Sequence, residues 1–499
     1  MPEATQKALL DTVSSLSRSQ DRRSKRSFRL LKVLSVLPYG ETLEALHHYL
    51  PTEPFFPENA LQLSELALLD VVPLQHSTLQ VGIGRLGLNE QSAPKMLKVP
   101  RQVRDYIHTL LTEEERAEIV LAGTERFFGR DWRKGKVKLR TLPLEYREYL
   151  SSGAGNEFAL IHRLIVGAEQ KGDRAVVRRA AKLGVHYAEH LKAAERYRDV
   201  TLVAGPLVQQ IDREDCGEEW CRLSALFGEG LRMTGKYSEA LKYLKGALEA
   251  SDVHLQADEK ASIWLGVALC EQSLGNVDGA IAAAEEVKRH AQPESATYVQ
   301  GISILAESTL QGQDRVRELT ELEKRARDDG YPMVADNIAL ELARETDRPA
   351  EKLRLLDRVL AAKSGGYNQA RAVVAKARVL RTSEEPLDLK GMDLVSLSTA
   401  YSYLHSQRFS SLFDRCHAEL WRVFEAKGDV PRLLRLFRHA SFVWRIRGDE
   451  AKESEYLKRL SQRDVPQAGV STSPVVVVEV RYFLRRLKVI MIGAPSVSS

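Results

Sequence analysis

The sequence predicts a mainly α-helical protein in which a small domain precedes a long array of helix pairs. Helix-favouring residues dominate the 499-residue chain, which is 43% hydrophobic and 28% charged, whereas β-branched runs and Gly/Pro clusters are few. Small residues also recur every 40 residues, at Ala188, Gly228 and Ala268. Such recurrence is expected where repeated helix pairs must approach closely and stack on their neighbours.

The best-formed repeat runs from Gly228 to Asp252. Gly235 stands at the expected turn, and Ala240 and Leu244 follow at spacings that place them on one face of a second helix. This pattern is typical of tetratricopeptide repeats, although the interval exceeds the usual length of about 34 residues. The flanking repeats carry equivalent apolar residues, namely Val200, Ala204 and Leu207 before it and Ala280, Ala284 and Val287 after it.

Five segments follow from the patterning. Residues 1–19 form a polar N-terminal segment, 20–112 a winged-helix domain, and 113–155 a helical and basic connector. Residues 156–463 form a solenoid of tetratricopeptide-like helix pairs, about seven in all, whose register loosens after the third repeat while breakers such as Gly312 and Gly428 still alternate with helices. Residues 464–499 form a tail, either one strand around VVVVEV or a disordered segment.

The winged-helix prediction rests on three helices and two strands. Leucines at helical spacing precede Pro38-Tyr39-Gly40, a second helix follows from about Thr42 to Tyr49, and ALQLSELALLDVV forms the third. STLQVGIG and KMLKV are the predicted strands of a hairpin. Thr112, with Glu115 three residues later, predicts a capping box that starts the connector helix.

The runs LLKVLSVLPYGETLEAL, LSELALLDVVPL and LKVPRQVRDYIHTLL resemble the winged-helix segment of NB-ARC-type signal-transducing ATPases, the STAND proteins. The resemblance implies a domain that passes the state of an ATPase core to a C-terminal repeat sensor. The core itself is absent, because no Gly-rich turn ends in Gly-Lys-Ser/Thr, and RKGKVK at 133–138 keeps only the Gly-Lys pair. Either the sequence is a fragment or split product, or the protein works without its own nucleotide switch. We therefore expect no cofactor.

Two motifs match enzyme signatures but conflict with the predicted structure. Gly82 to Gly87 fits the dinucleotide fingerprint, yet LNEQSAPK follows where a helix must begin, so a flexible wing explains the glycines better. His186 to His190 fits the H-x-x-E-H zinc-protease pattern, yet Ala188 within it is a close-packing residue of a repeat. We expect no metal site and no enzymatic activity.

The remaining composition favours a cytoplasmic protein. The four cysteines, Cys216, Cys221, Cys270 and Cys416, are too few and too irregularly spaced for a disulfide framework, and the first two lack the second pair of a zinc site. The N-terminus shows no secretory signal. The apolar segment 475–492 is interrupted by charges, so we expect no membrane span. The net charge of +5 is small for this length and does not demand nucleic acid.

The first helices of the repeats should line the concave face of the solenoid. On this face the first two aligned repeats show a basic, acidic, basic order. Such side chains could clamp an acidic segment of a protein ligand or of an ATPase subunit, or they could form local ion pairs on a solvated face. The predicted partner-binding residues are Lys182, Glu189, Lys192, Arg222, Glu229, Arg232 and Gln272.

Nucleic acid is the alternative partner. Basic residues alternate with aromatic ones in the connector, which suits nucleic-acid contact or a solvated linker; they are Arg130, Arg133, Lys134, Lys136, Lys138 and Arg140. The third winged-helix helix does not suit DNA, because residues 51–84 contain no Lys or Arg. The leading hypothesis is therefore a protein-interaction or sensor module, and the alternative is a nucleic-acid-linked regulator that uses the winged helix and the connector.

Overall fold

The computed structural model describes residues 3–50, 53–73, 95–139, 155–250, 254–362, 364–382, 391–407 and 409–461. Across these residues the chain forms 22 α-helices and three short strands. It divides into two compact units, residues 1–372 and 373–499. The predicted fold class is confirmed: the protein is mainly α, with a small N-terminal domain followed by a solenoid of helix pairs.

The N-terminal part combines helices with a three-stranded sheet. Its central strand β3 pairs antiparallel with both β1 and β2. Leu30, Leu31 and Leu34 are fully buried and belong to the same core as Leu97 of β3, so helices and sheet are held together by apolar packing. The elements are α1 (Glu3–Arg18), α2 (Arg22–Val36), β1 (Glu41–Thr42), α3 (Leu43–His47), α4 (Pro57–Glu65), β2 (Asp70–Pro73), β3 (Lys95–Lys98), α5 (Arg101–Leu110) and α6 (Glu113–Phe128).

Two predictions for this part are wrong. The third helix, predicted over 60–72, ends at Glu65, because Ala67 adopts the left-handed region at φ 55° and residues from Asp70 onward pair with β3. The predicted two-stranded hairpin is a three-stranded sheet, because the short β1 also pairs with β3. KMLKV is confirmed as β3, whereas STLQVGIG and the Gly82–Gly87 motif lie outside the described residues.

The capping box at the start of α6 is confirmed. The Thr112 hydroxyl accepts a hydrogen bond of 3.2 Å from the backbone N–H of Glu115, and the Glu115 carboxylate accepts one of 3.3 Å from the backbone N–H of Thr112. Both N–H groups would otherwise lack a partner at the helix start. A 3-10 turn (Trp132–Lys134) follows the helix.

The solenoid of unit 1 begins with α7. The first helices of successive pairs, α8, α10, α12, α14 and α16, pack on one another in turn, and each second helix packs on the first helix of its own pair. We call these first helices, together with α18, the inner helices. The elements are α7 (Gly155–Gln170), α8 (Arg174–Ala193), α9 (Tyr197–Gln210), α10 (Gly217–Met233), α11 (Tyr237–Glu249), α12 (Ala257–Ser273), α13 (Val277–His290), α14 (Ala296–Thr309), α15 (Gly312–Asp328), α16 (Pro332–Glu345), α17 (Pro349–Ala362) and α18 (Gly366–Thr382).

Close packing explains the 40-residue recurrence of small side chains. A Cβ added at Gly228 would lie 2.7 Å from Leu244 Cγ and 3.2 Å from the carbonyl oxygen of Ala240, both in α11. Any side chain there would push the two helices of the pair apart. Ala188 and Ala268 are fully buried at the equivalent positions of α8 and α12. The register predicted for these three repeats is therefore confirmed.

Unit 2 continues with helices and a dense aromatic core. It contains the end of α18 and then α19 (Gly391–Gln407), α20 (Ser410–Ala426), α21 (Val430–Arg447) and α22 (Glu450–Ser461). Trp421 and Trp444 are fully buried. In the described parts of both units, every helix is too short or too polar to span a bilayer. The predicted strand VVVVEV and the apolar segment 475–492 lie outside the described residues.

Candidate functional site

Polar side chains line the inner helices from α10 to α18. We call this set the inner row. It contains two basic residues, three acidic ones and three amides. Its members are Glu229, Arg232, Gln272, Gln300, Glu307, Asn337, Glu341 and Arg371.

Hydrogen bonds connect the inner row from helix to helix. The Gln272 amide of α12 donates to Glu307 Oε2 of α14 at 2.8 Å. Arg371 of α18 donates to the carboxylate of Glu341 at 2.6 Å and to Asn337 Oδ1 at 3.0 Å, and both acceptors lie on α16. Bonds to charged partners are stronger than neutral ones, so the row ties neighbouring helices together while leaving a polar surface.

At the other end of the row, Glu229 and Arg232 form an ion pair within α10. The guanidinium donates to both carboxylate oxygens, at 2.9 and 2.7 Å, and 18% of each side chain remains exposed. Although burial alone would raise it, the Arg232 charge lowers the pKa of Glu229 to about 2. The pair therefore stays ionised at neutral pH and presents two opposite charges to the space beside the inner helices.

Glu307 is the one inner-row carboxylate described here whose pKa is raised. Burial and then the nearby charge of Glu341 raise its pKa to about 7, against the opposing effects of Gln272, Arg344 and Arg371. Two carboxylates that share one environment resist simultaneous ionisation. The middle of the row thus changes charge near neutral pH.

The structure places the predicted partner-binding residues in different situations. Arg222 is neutralised by Glu218 of its own helix and Glu259 of α12, each at 3.0 Å. Glu189 is exposed and lies 3.6 Å from the ring of His186. Lys182 is also exposed.

Lys192 is half-buried, and the structure brings it near Glu229. It makes no direct ion pair among the residues that the structure describes, yet its charge contributes to the lowered pKa of Glu229. Together with Arg232 and Gln272, described above, these positions show that the basic, acidic, basic order produces ion pairs on and between the inner helices.

The second half of the inner row escaped the sequence analysis. Gln300, Glu307, Asn337, Glu341 and Arg371 do not follow the 40-residue interval. Gln272 and Glu307 are 35 residues apart, and Asn337 and Arg371 are 34 apart. These intervals match the usual tetratricopeptide length of about 34 residues. A search for polar residues at that shorter period would have found them.

The two ends of the inner face meet. The turn between α8 and α9 touches the start of α18, where the backbone N–H of Gly366 donates to the Glu195 carboxylate at 2.8 Å. The turn that follows the first inner helix is therefore in contact with the start of the last inner helix.

Five of the six residues predicted to contact nucleic acid are exposed, but no exposed aromatic ring of Phe127, Phe128 or Trp132 accompanies them. Arg140 lies outside the described residues, and the other five basic residues are exposed. Phe127, Phe128 and Trp132 are buried. The connector therefore offers charge for phosphate groups but no stacking surface from these three rings for bases.

The comparisons with known proteins show limited similarity. No protein-family model matches the sequence, and no curated protein matches it. One similar solved structure is a STAND protein with a tetratricopeptide repeat sensor from Pyrococcus horikoshii, at 13% identity and a TM-score of 0.42, with coverage of 96% of this chain and 69% of that one. Another is the human IFIT1 dimer with m7Gppp-AAAA, at 12% identity and a TM-score of 0.33, with coverage of 91% and 98%. Similarity at this level supports no inference about function.

Proposed function

We propose that this chain is a non-catalytic interaction module that binds a protein partner along its inner helices. This partner is either a protein ligand or an ATPase subunit. The observation that supports the proposal is the inner row. Carboxylates, amides and guanidinium groups follow one another over successive helices, and this mixture complements the main-chain amides and charged side chains of an extended protein segment. Repeat solenoids present such extended surfaces because each repeat adds one set of side chains.

In this proposal, residues 20–112 form a winged helix that packs against protein. Two contacts support a packing role. Asn59 and Gln62 of α4 form hydrogen bonds with the Ser27 hydroxyl of α2, at 3.2 and 2.6 Å. The basic side chain of Lys32 forms an ion pair with Glu115 of α6. This charge is neutralised within the protein and is not available to phosphate groups.

The experiment compares two double variants that remove one ion pair each. Glu341→Gln with Arg371→Gln removes a pair of the inner row, whereas Glu286→Gln with Arg289→Gln removes a pair of 2.6 Å, with an exposed arginine, on the second helix α13. Binding is measured against an array of short extended peptides of differing charge. We expect the first variant to bind its peptides at least about tenfold more weakly and the second to bind like the wild type.

Circular dichroism and thermal unfolding verify that both variants are folded. Failure of the wild type to bind any peptide of the array would count against the proposal. Equal loss in the two variants would show that the inner row is not the binding surface.

A second function is supported by the exposure of Arg130, Arg133, Lys134, Lys136 and Lys138. In this alternative the connector contacts nucleic acid through phosphate groups. Fluorescence anisotropy with a single-stranded oligonucleotide at low and high salt tests it. We expect affinity to fall steeply with salt, and Arg133→Ala to reduce the slope of log K against log salt by about one. Salt-independent binding, or none, would eliminate this alternative.

A further inference from the structure

Three arginines from three helices surround His108 in unit 1. Arg104 lies one helical turn before His108 on α5. Arg116 of α6 donates to the backbone carbonyl of His108 at 3.2 Å, and Arg163 of α7 lies with Nη2 3.3 Å from His108 Nε2. Because a guanidinium carries only donors, His108 Nε2 accepts this bond and Nδ1 carries the ring proton. We call these four residues the arginine cluster.

The acceptors within the protein do not use all the donors of the cluster. Arg163 donates to the carbonyl of Val36 at 2.8 Å, and Arg104 donates to that of Pro38 at 3.3 Å. Each guanidinium offers five N–H groups, so donors remain after these bonds. Arg116 Nε is buried and has no hydrogen-bond partner among the residues that the structure describes. An unmade hydrogen bond at a buried donor is costly.

Negative charge near the cluster is also scarce. Arg116 pairs with the exposed Glu113 at 2.9 Å, and Arg104 lies 3.8 Å from Asp105. Arg163 has no carboxylate partner within the described ranges. Burial and then the charges of Arg104 and Arg116 lower the pKa of Arg163 to about 10. The carbonyls of Val36 and His108, at the ends of α2 and α5, supply only partial negative charge.

The pKa of His108 is also lowered by this excess of positive charge. Burial, followed by the charges of Arg163, Arg116 and Arg104, lowers its pKa to about 4 against the opposing charge of Asp105. These are the charged groups that face the ring from α5, α6 and α7. The imidazole is therefore neutral at neutral pH and contributes a donor without adding a fourth positive charge.

We propose that the arginine cluster binds an oxyanion of the phosphate class between α5, α6 and α7. Guanidinium forks match the geometry of phosphate oxygens and bind them in pairs of hydrogen bonds. Such an anion supplies acceptors for the unused N–H groups and neutralises the mutual repulsion of the arginines. Because α5 belongs to the N-terminal domain and α7 begins the solenoid, the anion stabilises the junction of the two. This site is separate from the inner row, and the inference does not rest on the proposed function.

The experiment uses the full chain and inorganic phosphate. Thermal unfolding and isothermal titration calorimetry are performed at pH 7.5, with chloride at matched ionic strength as the reference salt. We expect phosphate to raise the melting temperature more than chloride does. Arg104→Gln and Arg116→Gln should each weaken phosphate binding at least about tenfold. Arg101→Gln is the matched control, because Arg101 lies on the same helix and its side chain is 83% exposed.

Phosphoserine is titrated as a second probe. Tighter binding of phosphoserine than of phosphate identifies a phosphorylated side chain as the ligand, and equal binding identifies the free ion. If Arg104→Gln or Arg116→Gln does not fold, NMR titration of the His108 ring in the wild type replaces it, and phosphate should raise the pKa of His108. The proposal is overturned if phosphate stabilises the protein no more than chloride does, if the pKa of His108 does not respond, or if Arg101→Gln loses binding equally.

Discussion

The carboxylate of Glu195 accepts a hydrogen bond of 2.8 Å from the backbone N–H of Gly366, a residue 171 positions further along the chain. Glu195 has a φ of 55° at the turn position where the next two repeats carry Gly235 and Gly275. A side chain in the left-handed region costs about 1 kcal/mol relative to glycine. The first repeat therefore carries a strained residue at the turn that contacts the far end of the inner face.

Replacement of Glu195 separates the effect of its backbone strain from the effect of its hydrogen bond to Gly366. Glu195→Gly introduces the residue found at the equivalent turns of the next two repeats. The backbone strain at position 195 is then relieved, and the hydrogen bond to Gly366 is lost. We expect the free energy of unfolding to change by no more than about 1 kcal/mol, whereas amide exchange at Gly366 should accelerate about tenfold or more. Hydrogen exchange measured by NMR tests this.

The reverse change is the control. Gly235→Glu places the same side chain at a turn without the Gly366 partner, and we expect a loss of about 1 kcal/mol and unchanged exchange at Gly366. Unaltered exchange at Gly366 in Glu195→Gly would show that the hydrogen bond does not hold the two ends of the inner face together.

The Glu229–Arg232 pair should be costly to break on one side only. Arg232→Met leaves the carboxylate largely buried without its partner, and we expect a loss of about 3 kcal/mol in urea unfolding at pH 7. Adding Glu229→Gln should recover most of it, because no charge is then left unpaired. If the double variant is as unstable as Arg232→Met, the loss comes from packing of the long side chain and not from the unpaired charge.

This pair also has a defined pH window. The pKa of Glu229 in the folded protein, about 2, lies below its ordinary value of 4.5. The unfolded chain therefore binds a proton first as the pH falls, and the stability from the pair is present above about pH 4.5 and is lost towards pH 2. The wild type should therefore lose stability relative to the double variant as the pH falls over that range.

Glu307 should behave in the opposite way. Its folded pKa, about 7, lies above the ordinary value of 4.5. Between these values the folded protein holds a proton that the unfolded chain has released, so this carboxyl lowers stability as the pH rises from 4.5 to 7. Glu307→Gln keeps an acceptor for the Gln272 amide and should stabilise the protein by about 1–2 kcal/mol at pH 8.

Urea unfolding at pH 8 and at pH 4.5 tests whether Glu307 lowers stability as the pH rises. At the lower pH the wild-type carboxyl is largely protonated in the folded protein, and Glu307→Gln should make little difference. A gain of the same size at both pH values would mean that the substitution acts through packing and not through ionisation.

Features that depend on local spacing could be predicted from the sequence. The small residues at Ala188, Gly228 and Ala268 must recur because two helices approach closely in each repeat, so their positions can be counted along the chain. The later inner row could not be counted in the same way, because the interval between equivalent residues shortens after Gln272. The end of α4 was missed because the apolar residues after Glu65 suit a buried strand as well as a helix.

Contacts between segments that are distant in sequence could not be predicted from the spacing of residues along the chain. Nothing in the neighbourhood of Glu195 indicates that its carboxylate meets Gly366, and Arg163 meets His108 although they lie on different helices, α7 and α5. Such sites depend on how helices are arranged in space, which one sequence does not reveal. The charge pattern at Arg222 and Arg232 was visible, but the carboxylates that neutralise them lie partly on the next inner helix.

The side chain of His417 in unit 2 is 0% exposed. The ring centroids of Tyr456 and Trp444 lie 4.5 and 4.9 Å from that of His417, and neither nitrogen of His417 has a hydrogen-bond partner among the described residues. Burial, followed by the charges of Arg459 and Lys452, lowers the pKa of His417 to about 3.

As the pH falls below 6.5, His417 binds a proton in the unfolded chain but stays neutral in the folded protein. Stability is therefore fully present above pH 6.5 and should fall by about 1.4 kcal/mol per pH unit until the folded pKa is reached. His417→Phe removes this titration and places an apolar ring among aromatic neighbours, so unfolding followed by tryptophan fluorescence should depend less on pH between 6.5 and 4. His254 is exposed, and His254→Gln is the control because it removes an imidazole outside this aromatic core. Identical slopes for His417→Phe and the wild type would mean that His417 is protonated as readily in the folded protein as in the unfolded chain, and that its aromatic surroundings admit water.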